Sequence, residues 1–431
     1  MTRRLFYLML LAIPAGRVLS TSLFESASKT ASLTPDQVVL PCLIIAYLYP
    51  QLRHARLPFR EVHRARPLFL FLVWCLISLM LNKFWYGLTI GQTAFSALYL
   101  VRWISYSLLY FVAYDICRSG NEVKRIVKWL VIGGGLFCAF GLLQAAFLPD
   151  FAFMLHPDAI PSVDFDLQGH RLVSTFLDPN IAAGYILIFV LLALSFWIHG
   201  YSHWLGIVLL LGGALFATLS RGGVLGFFVG IAVLVSMKRF PRKRALMGVL
   251  ALLLLVCVMY PSFKTLIEDT RRISIDDPSA LMRIEDWKLA LDIISSNPLV
   301  GIGFDTLGFV APQYGMNREG AIAFGFSGDL VTIFALTGAI GLILYLLIYW
   351  EVIKGLSRLR DGTKSNWVRA YSRGVHASTI AVVVSSCFTT ILLYPQIMGV
   401  LWILWALGRR LQEGMDAEAI QSGLELARAA A

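Results

Sequence analysis

Three arginines outside the long apolar stretches are the residues best suited to chemistry on a charged substrate. Arg171, Arg221 and Arg283 each lie in a connection between apolar runs. A guanidinium group keeps its charge and donates hydrogen bonds in a planar fork that matches phosphate oxygens. Arg221 is also followed by two glycines, whose exposed amides at a helix start suit an anion. Together the three cations predict a pyrophosphate site, although each alone also fits a structural role, such as a turn arginine that reaches the membrane surface.

Carboxylate and amide side chains at the entrances of two apolar stretches could act on a sugar hydroxyl. Asp178 and Asn180 precede one stretch, and Asp329 precedes another. Arg102 lies inside a further stretch, where an ionisable side chain costs roughly 2.5–3.5 kcal/mol at the membrane centre. Each of these groups therefore needs a function or a partner. The structural alternatives are helix N-caps for the two aspartates and a carbonyl or acidic partner for the arginine.

Composition places these residues in a membrane protein. The chain has 431 residues, of which 58% are hydrophobic and 15% charged, and its mean hydropathy is +0.72. Soluble domains contain roughly 45–50% apolar and about 25% charged residues. An ordinary soluble enzyme, a disordered chain and a disulfide-rich module are therefore excluded. The six cysteines are dispersed in or beside apolar runs without metal-ligand spacing, and we expect neither a metal nor a cofactor.

Apolar runs long enough to cross a bilayer recur along the whole chain. They predict an all-α, polytopic membrane protein with about twelve transmembrane helices. The division between the seventh and eighth spans depends on Ser220-Arg221-Gly222-Gly223, which interrupts one long apolar stretch. The predicted spans are 5–20, 34–50, 67–82, 93–116, 124–148, 175–198, 203–219, 221–237, 245–260, 325–353, 373–393 and 395–409.

The basic connections predict the orientation in the membrane. With twelve spans, the clusters of arginine and lysine all fall on one side, which the positive-inside rule makes cytoplasmic. Both termini are then cytoplasmic, and the connections 149–174 and 261–324 lie on the opposite face. The net charge of +11 is thus an orientation signal, and we expect no nucleic-acid partner. The basic clusters are found at residues 3–4, 53–66, 118–125, 238–244, 354–373 and 409–410.

We predict a single transmembrane helical domain over residues 1–410, followed by a short cytoplasmic tail, 411–431. A large extracytoplasmic loop, 261–324, separates helices 9 and 10, and connections of this length in compact proteins are commonly functional. Inside this loop, apolar residues at helical spacing predict a helix from Leu281 to Ser296, which Asn297-Pro298 ends.

Four segments resemble, in their order and spacing, the O-antigen ligase and polymerase superfamily of bacterial surface-polysaccharide assembly. Each segment is short, so the specificity of the resemblance lies in finding all four on one polytopic chain. The resemblance covers most of the chain and is strongest between residues 141 and 345. The segments are Gln144 with Arg171 and Ser174 to Asn180; Ser220 to Gly223; Arg283 with Trp287 and Asn297 to Gly303; and Asp329 with Leu336 to Gly341.

The resemblance implies a membrane glycosyltransferase in the bacterial inner membrane, with its active site on the extracytoplasmic face. The expected substrates are an undecaprenyl-pyrophosphate-linked glycan and an acceptor glycan, and the expected neighbours are membrane lipids, a chain-length regulator and export proteins. Transfer would invert the anomeric centre and require no metal. The residue roles that follow are catalysis by Asp329, Arg221 and Arg283; pyrophosphate binding by Arg171, Arg221, Arg283 and Asn180; and structural or substrate contacts by Arg102 and Asp178.

One departure from the family pattern separates two activities. Family ligases carry a histidine, the proposed catalytic base, at a position that falls near Ser327 in this chain. The sequence has no histidine there, and Asp329 is the nearest replacement, with Asp178 or a loop histidine such as His156 or His170 as weaker candidates. This difference favours a polymerase of exopolysaccharide or O-antigen repeat units over an O-antigen ligase that transfers glycan to lipid A core.

A flippase or other transporter of lipid-linked oligosaccharide is the alternative from a different class. Its arginines would guide an anionic headgroup across the membrane. Transporters of this kind are commonly built from inverted repeats with paired broken helices, and neither feature can be recognised in the sequence. The long outer loop also favours a reaction on one face of the membrane.

Overall fold

The computed structural model describes residues 1–26, 29–53, 65–155, 171–237, 247, 278–315 and 325–430. Most of these residues are helical, as the apolar runs predict. The α-helices are α1 (Thr2–Ala12), α2 (Pro35–Arg53), α3 (Arg66–Trp85), α4 (Ile90–Ile116), α5 (Gly120–Phe147), α6 (Phe151–Leu155), α7 (Pro179–Ile198), α8 (Leu205–Ala217), α9 (Arg221–Ser236), α10 (Pro278–Ser296), α11 (Leu307–Val310), α12 (Asp329–Gly362), α13 (Asn366–Ser385) and α14 (Pro395–Ala430).

Every predicted span within the described residues contains a helix, while the span 245–260 lies outside them apart from residue 247. Five of the described helices, α3, α4, α5, α7 and α12, are long and apolar enough to cross a membrane, and α8 and α9 are apolar but shorter. The protein is therefore a helical membrane protein, and the total of twelve crossings stays a prediction. The helix expected inside the long loop is confirmed as α10, whereas residues 261–277 and 316–324 of that loop lie outside the described residues.

The N-terminal region differs from the prediction in two ways. The expected span 5–20 ends early, because α1 stops at Ala12 and a 3₁₀ turn containing Pro14 follows. Gly16 then adopts a φ of +58°, and a Cβ there would lie 2.5 Å from the carbonyl oxygen of Thr175. Next comes an antiparallel hairpin of β1 (Thr21–Ser26) and β2 (Lys29–Leu33), which the all-α prediction did not include.

Helix α7 forms the centre of the bundle and is buried along almost its whole length. Helix α9 packs closely against it through glycines, since a Cβ added at Gly223 would lie 2.6 Å from the Cβ of Ala183. A Cβ at Gly230 would likewise lie 2.3 Å from a methyl group of Leu191. Small residues at such an interface let two helix backbones approach each other inside a membrane.

Helix α12 is interrupted at Gly338, whose backbone has φ +67° and ψ −173°. The segment 298–303 crosses this interruption and pairs with the exposed backbone on both sides of it. The amide of Ala339 donates to the carbonyl of Pro298 at 2.8 Å, and the amide of Gly303 donates to that of Leu336 at 2.9 Å. Non-helical backbone at membrane depth is tolerated where it is buried in protein or lines a water-filled cavity, and here segment 298–303 supplies the hydrogen bonds.

The predicted span 373–393 is wrong at its outer end. Helix α13 stops at Ser385, and residues 386–394 form an irregular connection to α14. The apolar composition of Ile391, Leu392 and Leu393 suggested a continuing helix, but their amides donate to the buried carboxylate of Asp329 instead of to helix carbonyls. Helix α14 also continues to Ala430, so residues 411–430 of the predicted tail are helical.

Basic connections meet at one end of the bundle. Arg3 pairs with Glu122 at 2.6 Å, which brings the N-terminus to the start of α5. The side chain of Arg410 on α14 donates to the carbonyl of Cys117 at 2.9 Å, at the connection between α4 and α5. Both contacts agree with the charge pattern used to predict orientation. We refer to this end as the basic end, and to the other as the opposite end.

Candidate functional site

The segment that carries Arg171 is held at the opposite end by a buried glutamine. Gln144, near the end of α5, accepts hydrogen bonds from the amides of Val173 and Ser174 at 3.1 and 3.2 Å. The half-buried Arg171 donates from Nε to the carbonyl of Thr218 at 2.9 Å. Thr218 follows the end of α8 and lies three residues before Arg221, so Arg171 and the Arg221 turn are directly connected.

The Asp178-Pro179-Asn180 entrance to α7 is tied to the same turn. Asp178 is the N-cap of α7, because its Oδ1 accepts the amides of Asn180 and Ile181 at 2.7 and 3.0 Å. This confirms the structural interpretation of Asp178. Asn180 in turn accepts a hydrogen bond from the Ser220 hydroxyl at 2.9 Å. Asn180 therefore lies beside the turn that precedes Arg221.

Arg221 is the first residue of α9 and is exposed. The Ser220 hydroxyl caps this helix by accepting the amide of Gly223 at 3.3 Å. The predicted break between the seventh and eighth spans is thus confirmed, and Leu219 in it adopts a φ of +51°. The cap therefore uses one of the two glycine amides that the sequence predicts for anion binding, and the side chain of Arg221 lies beside the other.

Arg283 lies on α10, half-buried, one turn from two residues that contact Ser327. The Ser327 hydroxyl donates to the Asp286 carboxylate at 2.7 Å, and the Trp287 indole donates to the Ser327 carbonyl at 2.7 Å. Burial raises the pKa of Asp286 above its ordinary value of 3.8, although Ser327 and Arg283 oppose the shift. The position expected for the family histidine is therefore occupied by a serine bound to a carboxylate.

Asp329 is fully buried at the start of α12. Its carboxylate accepts the amides of Ile391, Leu392 and Leu393 at 2.8, 2.7 and 3.0 Å. Both oxygens of the carboxylate therefore accept backbone amides, and the side chain has no exposed surface. This geometry favours a role in positioning the connection 386–394, and the predicted role of Asp329 as catalytic base stays a prediction.

The connection 386–394 joins the Arg283 region to the Arg221 turn. The amide of Asp329 donates to the Ser386 carbonyl at 2.7 Å, and a Cβ at Gly328 would lie 2.6 Å from the Cys387 carbonyl oxygen. On the other side, a Cβ at Gly222 would lie 3.6 Å from the Cβ of Phe388. Continuous contacts therefore link the segments of Arg171, Arg221 and Arg283 at one end of the bundle. We call these three segments the arginine site.

Arg102 lies on α4 and contributes to none of the contacts described above; its guanidinium lies 5.9 Å from the ring centre of Tyr99 and close enough to Tyr394 to interact with it electrostatically. The loop histidines His156 and His170 lie outside the described residues. A cavity of about 420 Å³ lies at the basic end, where Arg66, Glu351 and Arg409 contribute to its wall. This cavity is therefore separated from the arginine site by the length of the helices.

The fold and these contacts define a polytopic membrane protein in which three arginine-bearing segments are linked at one end of a helical bundle. Residues 205–346 match the family model described as O-Antigen ligase. The match includes Arg221, Arg283 and Asp329, whereas Arg171 precedes it. It confirms the resemblance to the O-antigen ligase and polymerase superfamily. A comparison with curated proteins finds no match.

Two residues of the site escaped the sequence analysis as functional candidates. Gln144 is noticed in the sequence as part of a motif, yet its clamp on residues 173–174 depends on contacts across about 30 positions. Asp286 is not among the site residues predicted from the sequence. Its position on α10, one turn after Arg283 and beside Trp287, was the signal that could have identified it.

Proposed function

We propose that the protein is a polymerase that joins undecaprenyl-pyrophosphate-linked oligosaccharide repeat units on the outer face of the bacterial inner membrane. The observation that carries this proposal is the linkage of three arginine-bearing segments at one end of the bundle. Two of these arginines, Arg221 and Arg283, fall within the O-antigen ligase match. The arginine site would face the extracytoplasmic side, and the basic end, with both termini, would face the cytoplasm.

The arginines bind the diphosphate and stabilise it as a leaving group. An acceptor hydroxyl attacks the anomeric carbon from the face opposite the diphosphate and forms the new glycosidic bond. The bond between the anomeric carbon and the phosphate oxygen breaks, and its electron pair leaves with undecaprenyl pyrophosphate. The anomeric centre inverts. Because guanidinium groups supply the neutralising charge, the proposal includes neither a metal nor a cofactor.

Asp286 is the carboxylate best placed to receive the proton of the acceptor hydroxyl. It already accepts a hydrogen bond from one hydroxyl, that of Ser327, and a sugar hydroxyl can take the same position. Its pKa, raised by burial, makes it a better base than an ordinary aspartate. Arg283 on the same helix keeps this carboxylate near the diphosphate. Asp329, by contrast, supports the site by holding residues 391–393.

Ser327 supports a polymerase, because a family ligase carries histidine near this position. An O-antigen ligase is the second candidate, since the matched family model carries that description. The family match gives no support to a flippase. Membrane lipids, a chain-length regulator and export proteins are the proposed neighbours.

Product analysis with the purified protein separates the two activities. Given only a lipid-linked repeat unit, a polymerase produces long glycan that stays on undecaprenyl pyrophosphate. A ligase produces no longer glycan under these conditions and requires a second acceptor such as lipid A core. Long lipid-linked products support the polymerase, and transfer to lipid A core without chain growth contradicts it.

Arg221→Ala tests the arginine site in the same assay. Loss of one pre-organised donor of this kind costs about 10²–10³ in rate, so chain growth should fall by that factor. Arg118→Ala is the matched control, since Arg118 is an exposed arginine in the connection between α4 and α5 at the basic end. Equal rates in the two variants would remove Arg221 from the mechanism.

A further inference from the structure

A group of buried polar side chains lies where α2, α4 and α14 meet. Asp36 and Gln396 are fully buried, and the side chains of Thr34 and Gln396 lie close to the Asp36 carboxyl. Oδ1 of Asp36 and Oε1 of Gln396 nevertheless have no partner with hydrogen-bond geometry among the described residues. The buried Nε of Arg102 likewise has no hydrogen-bond partner among the described residues. Tyr106 donates its hydroxyl to Oδ2 of Asp36. We call Asp36, Arg102, Tyr106, Tyr394 and Gln396 the Asp36 cluster.

An unpaired buried polar atom costs about 1–3 kcal/mol. Three such atoms in one place therefore indicate groups that a ligand or ordered water completes. The oxygens of Asp36 and Gln396 each require a hydrogen-bond donor, whereas Nε of Arg102 requires an acceptor.

Two guanidinium groups and aromatic rings border the cluster. Arg102 lies over the ring of Tyr99, and Arg17 lies over the ring of Tyr394 at 5.7 Å. Both arginines and Asp36 are close enough to Tyr394 to interact with it electrostatically. The positive charges of Arg17 and Arg102 therefore lie near the carboxyl group of Asp36, whereas a simple anion site contains positive groups alone. A ligand with hydroxyl groups and little charge of its own fits this mixture better than a diphosphate does.

The Asp36 cluster adjoins the arginine site through Tyr394. The amide of Arg17 donates to the carbonyl of Thr175 at 2.8 Å, in the segment between Arg171 and α7. The Tyr394 ring lies 5.5 Å from that of Phe176, centre to centre. Tyr394 also follows directly after the residues that Asp329 holds. A ligand in the cluster and a diphosphate at the arginine site would therefore be neighbours.

We propose that the Asp36 cluster is a sugar-binding subsite for the glycan substrates. Two hydroxyl groups of one sugar donate to the oxygens of Asp36 and Gln396, and one of these hydroxyls accepts from Nε of Arg102, so one ligand completes all three unpaired atoms. The carboxylate of Asp36 repels a diphosphate, which remains with the arginine site. This inference rests on the proposed function, since the sugar belongs to the lipid-linked repeat unit.

Binding of two probes to the full-length protein in nanodiscs tests the subsite. The first probe is the repeat-unit oligosaccharide released from the host polysaccharide, free of lipid and phosphate. The second is undecaprenyl pyrophosphate without sugar. Gln396→Met keeps the side-chain length and removes the unpaired oxygen, and Arg102→Lys keeps the charge and removes Nε. Each variant should weaken binding of the oligosaccharide about tenfold, the loss of one ordinary hydrogen bond, and should leave binding of undecaprenyl pyrophosphate unchanged.

The matched control is Trp402→Phe, which removes another buried donor on α14 that has no partner among the described residues. It should leave the affinity for both probes unchanged. Native oligosaccharide affinity in both Gln396→Met and Arg102→Lys would mean that water alone completes the cluster, and would overturn the proposal. Weaker binding of undecaprenyl pyrophosphate alone would assign the cluster to the diphosphate and overturn it as well.

Failure of this inference is distinguishable from failure of the proposed function. Arg221→Ala should weaken binding of undecaprenyl pyrophosphate and spare the free oligosaccharide. If Arg221→Ala leaves both affinities and chain growth intact, the arginine site fails whatever the Gln396 result. If Arg221→Ala behaves as expected while Gln396→Met and Arg102→Lys have no effect, the sugar subsite alone fails.

Discussion

Replacing Asp329 with asparagine distinguishes a positioning residue from a catalytic base. The native carboxylate accepts three amides with its two oxygens, at 2.7 to 3.0 Å, in a fully buried position. Asparagine has one oxygen, so in its better orientation it retains the amides of Ile391 and Leu392. Its NH₂ group then faces the amide of Leu393, which loses its acceptor.

The magnitude follows from these contacts. A hydrogen bond to a charged group contributes about 1.5–3 kcal/mol, and a buried donor left unpaired costs about 1–3 kcal/mol. Asp329→Asn should therefore lower the free energy of unfolding by about 2–5 kcal/mol, with the two retained bonds weakened because the acceptor is neutral. Chain growth per folded molecule should fall less than tenfold, since the connection 386–394 remains in the site.

Thermal unfolding of the purified protein, followed by chain growth measured well below the midpoint, checks both quantities. Asp361→Asn is the control, because Asp361 is an exposed aspartate on the same helix whose pair with Arg360 contributes about 0–1 kcal/mol. Unchanged stability together with a 10²–10⁴-fold loss of rate, the usual effect of removing a general base, would refute the reasoning and restore Asp329 as the base.

Two further substitutions test other parts of the site. Asp286→Asn should lower chain growth by about 10²–10⁴-fold. In the native protein the rate should fall as pH decreases through the raised pKa of Asp286, above 3.8. This acid limb of the pH–rate profile should disappear in Asp286→Asn and persist in the control variant Asp292→Asn, on the exposed face of α10. The same raised pKa means that the folded protein binds this proton more tightly than the unfolded chain, so its contribution to stability is present below pH 3.8 and lost as pH rises through the folded pKa. Gly338→Ala should lower the free energy of unfolding by at least about 1–3 kcal/mol from backbone strain alone, and its new Cβ would also lie 2.1 Å from the Leu299 carbonyl. The control variant Gly135→Ala has open space around the new methyl group and should be neutral or stabilising by up to about 1 kcal/mol. Equal stability of these two variants would contradict the contact between segment 298–303 and α12.

Local signals in the sequence were sufficient for several features of the fold and site. Charged and glycine residues at 220–223 interrupt an apolar stretch, and the helix break lies there. Asp178 followed by proline fits an N-cap, and the structure has one. The helix Pro278–Ser296 ends where Asn297-Pro298 predicts. In each case the determining residues are neighbours in the chain.

Features that depend on distant partners could not be predicted. The break at Gly338 requires segment 298–303 to supply hydrogen bonds, and neither segment alone indicates it. After the end of α13 at Ser385, residues 391–393 are held by a carboxylate more than 60 positions earlier in the chain, that of Asp329. The unpaired atoms of the Asp36 cluster come from three helices, and only their juxtaposition distinguishes them from ordinary caps and core polar residues.

The most direct test of the central claim is an experimental structure of the protein with undecaprenyl pyrophosphate bound. The claim predicts that the diphosphate lies at the start of α9, within hydrogen-bond distance of Arg171, Arg221 and Arg283. A diphosphate at the basic end, in the cavity beside Arg66 and Arg409, would contradict it.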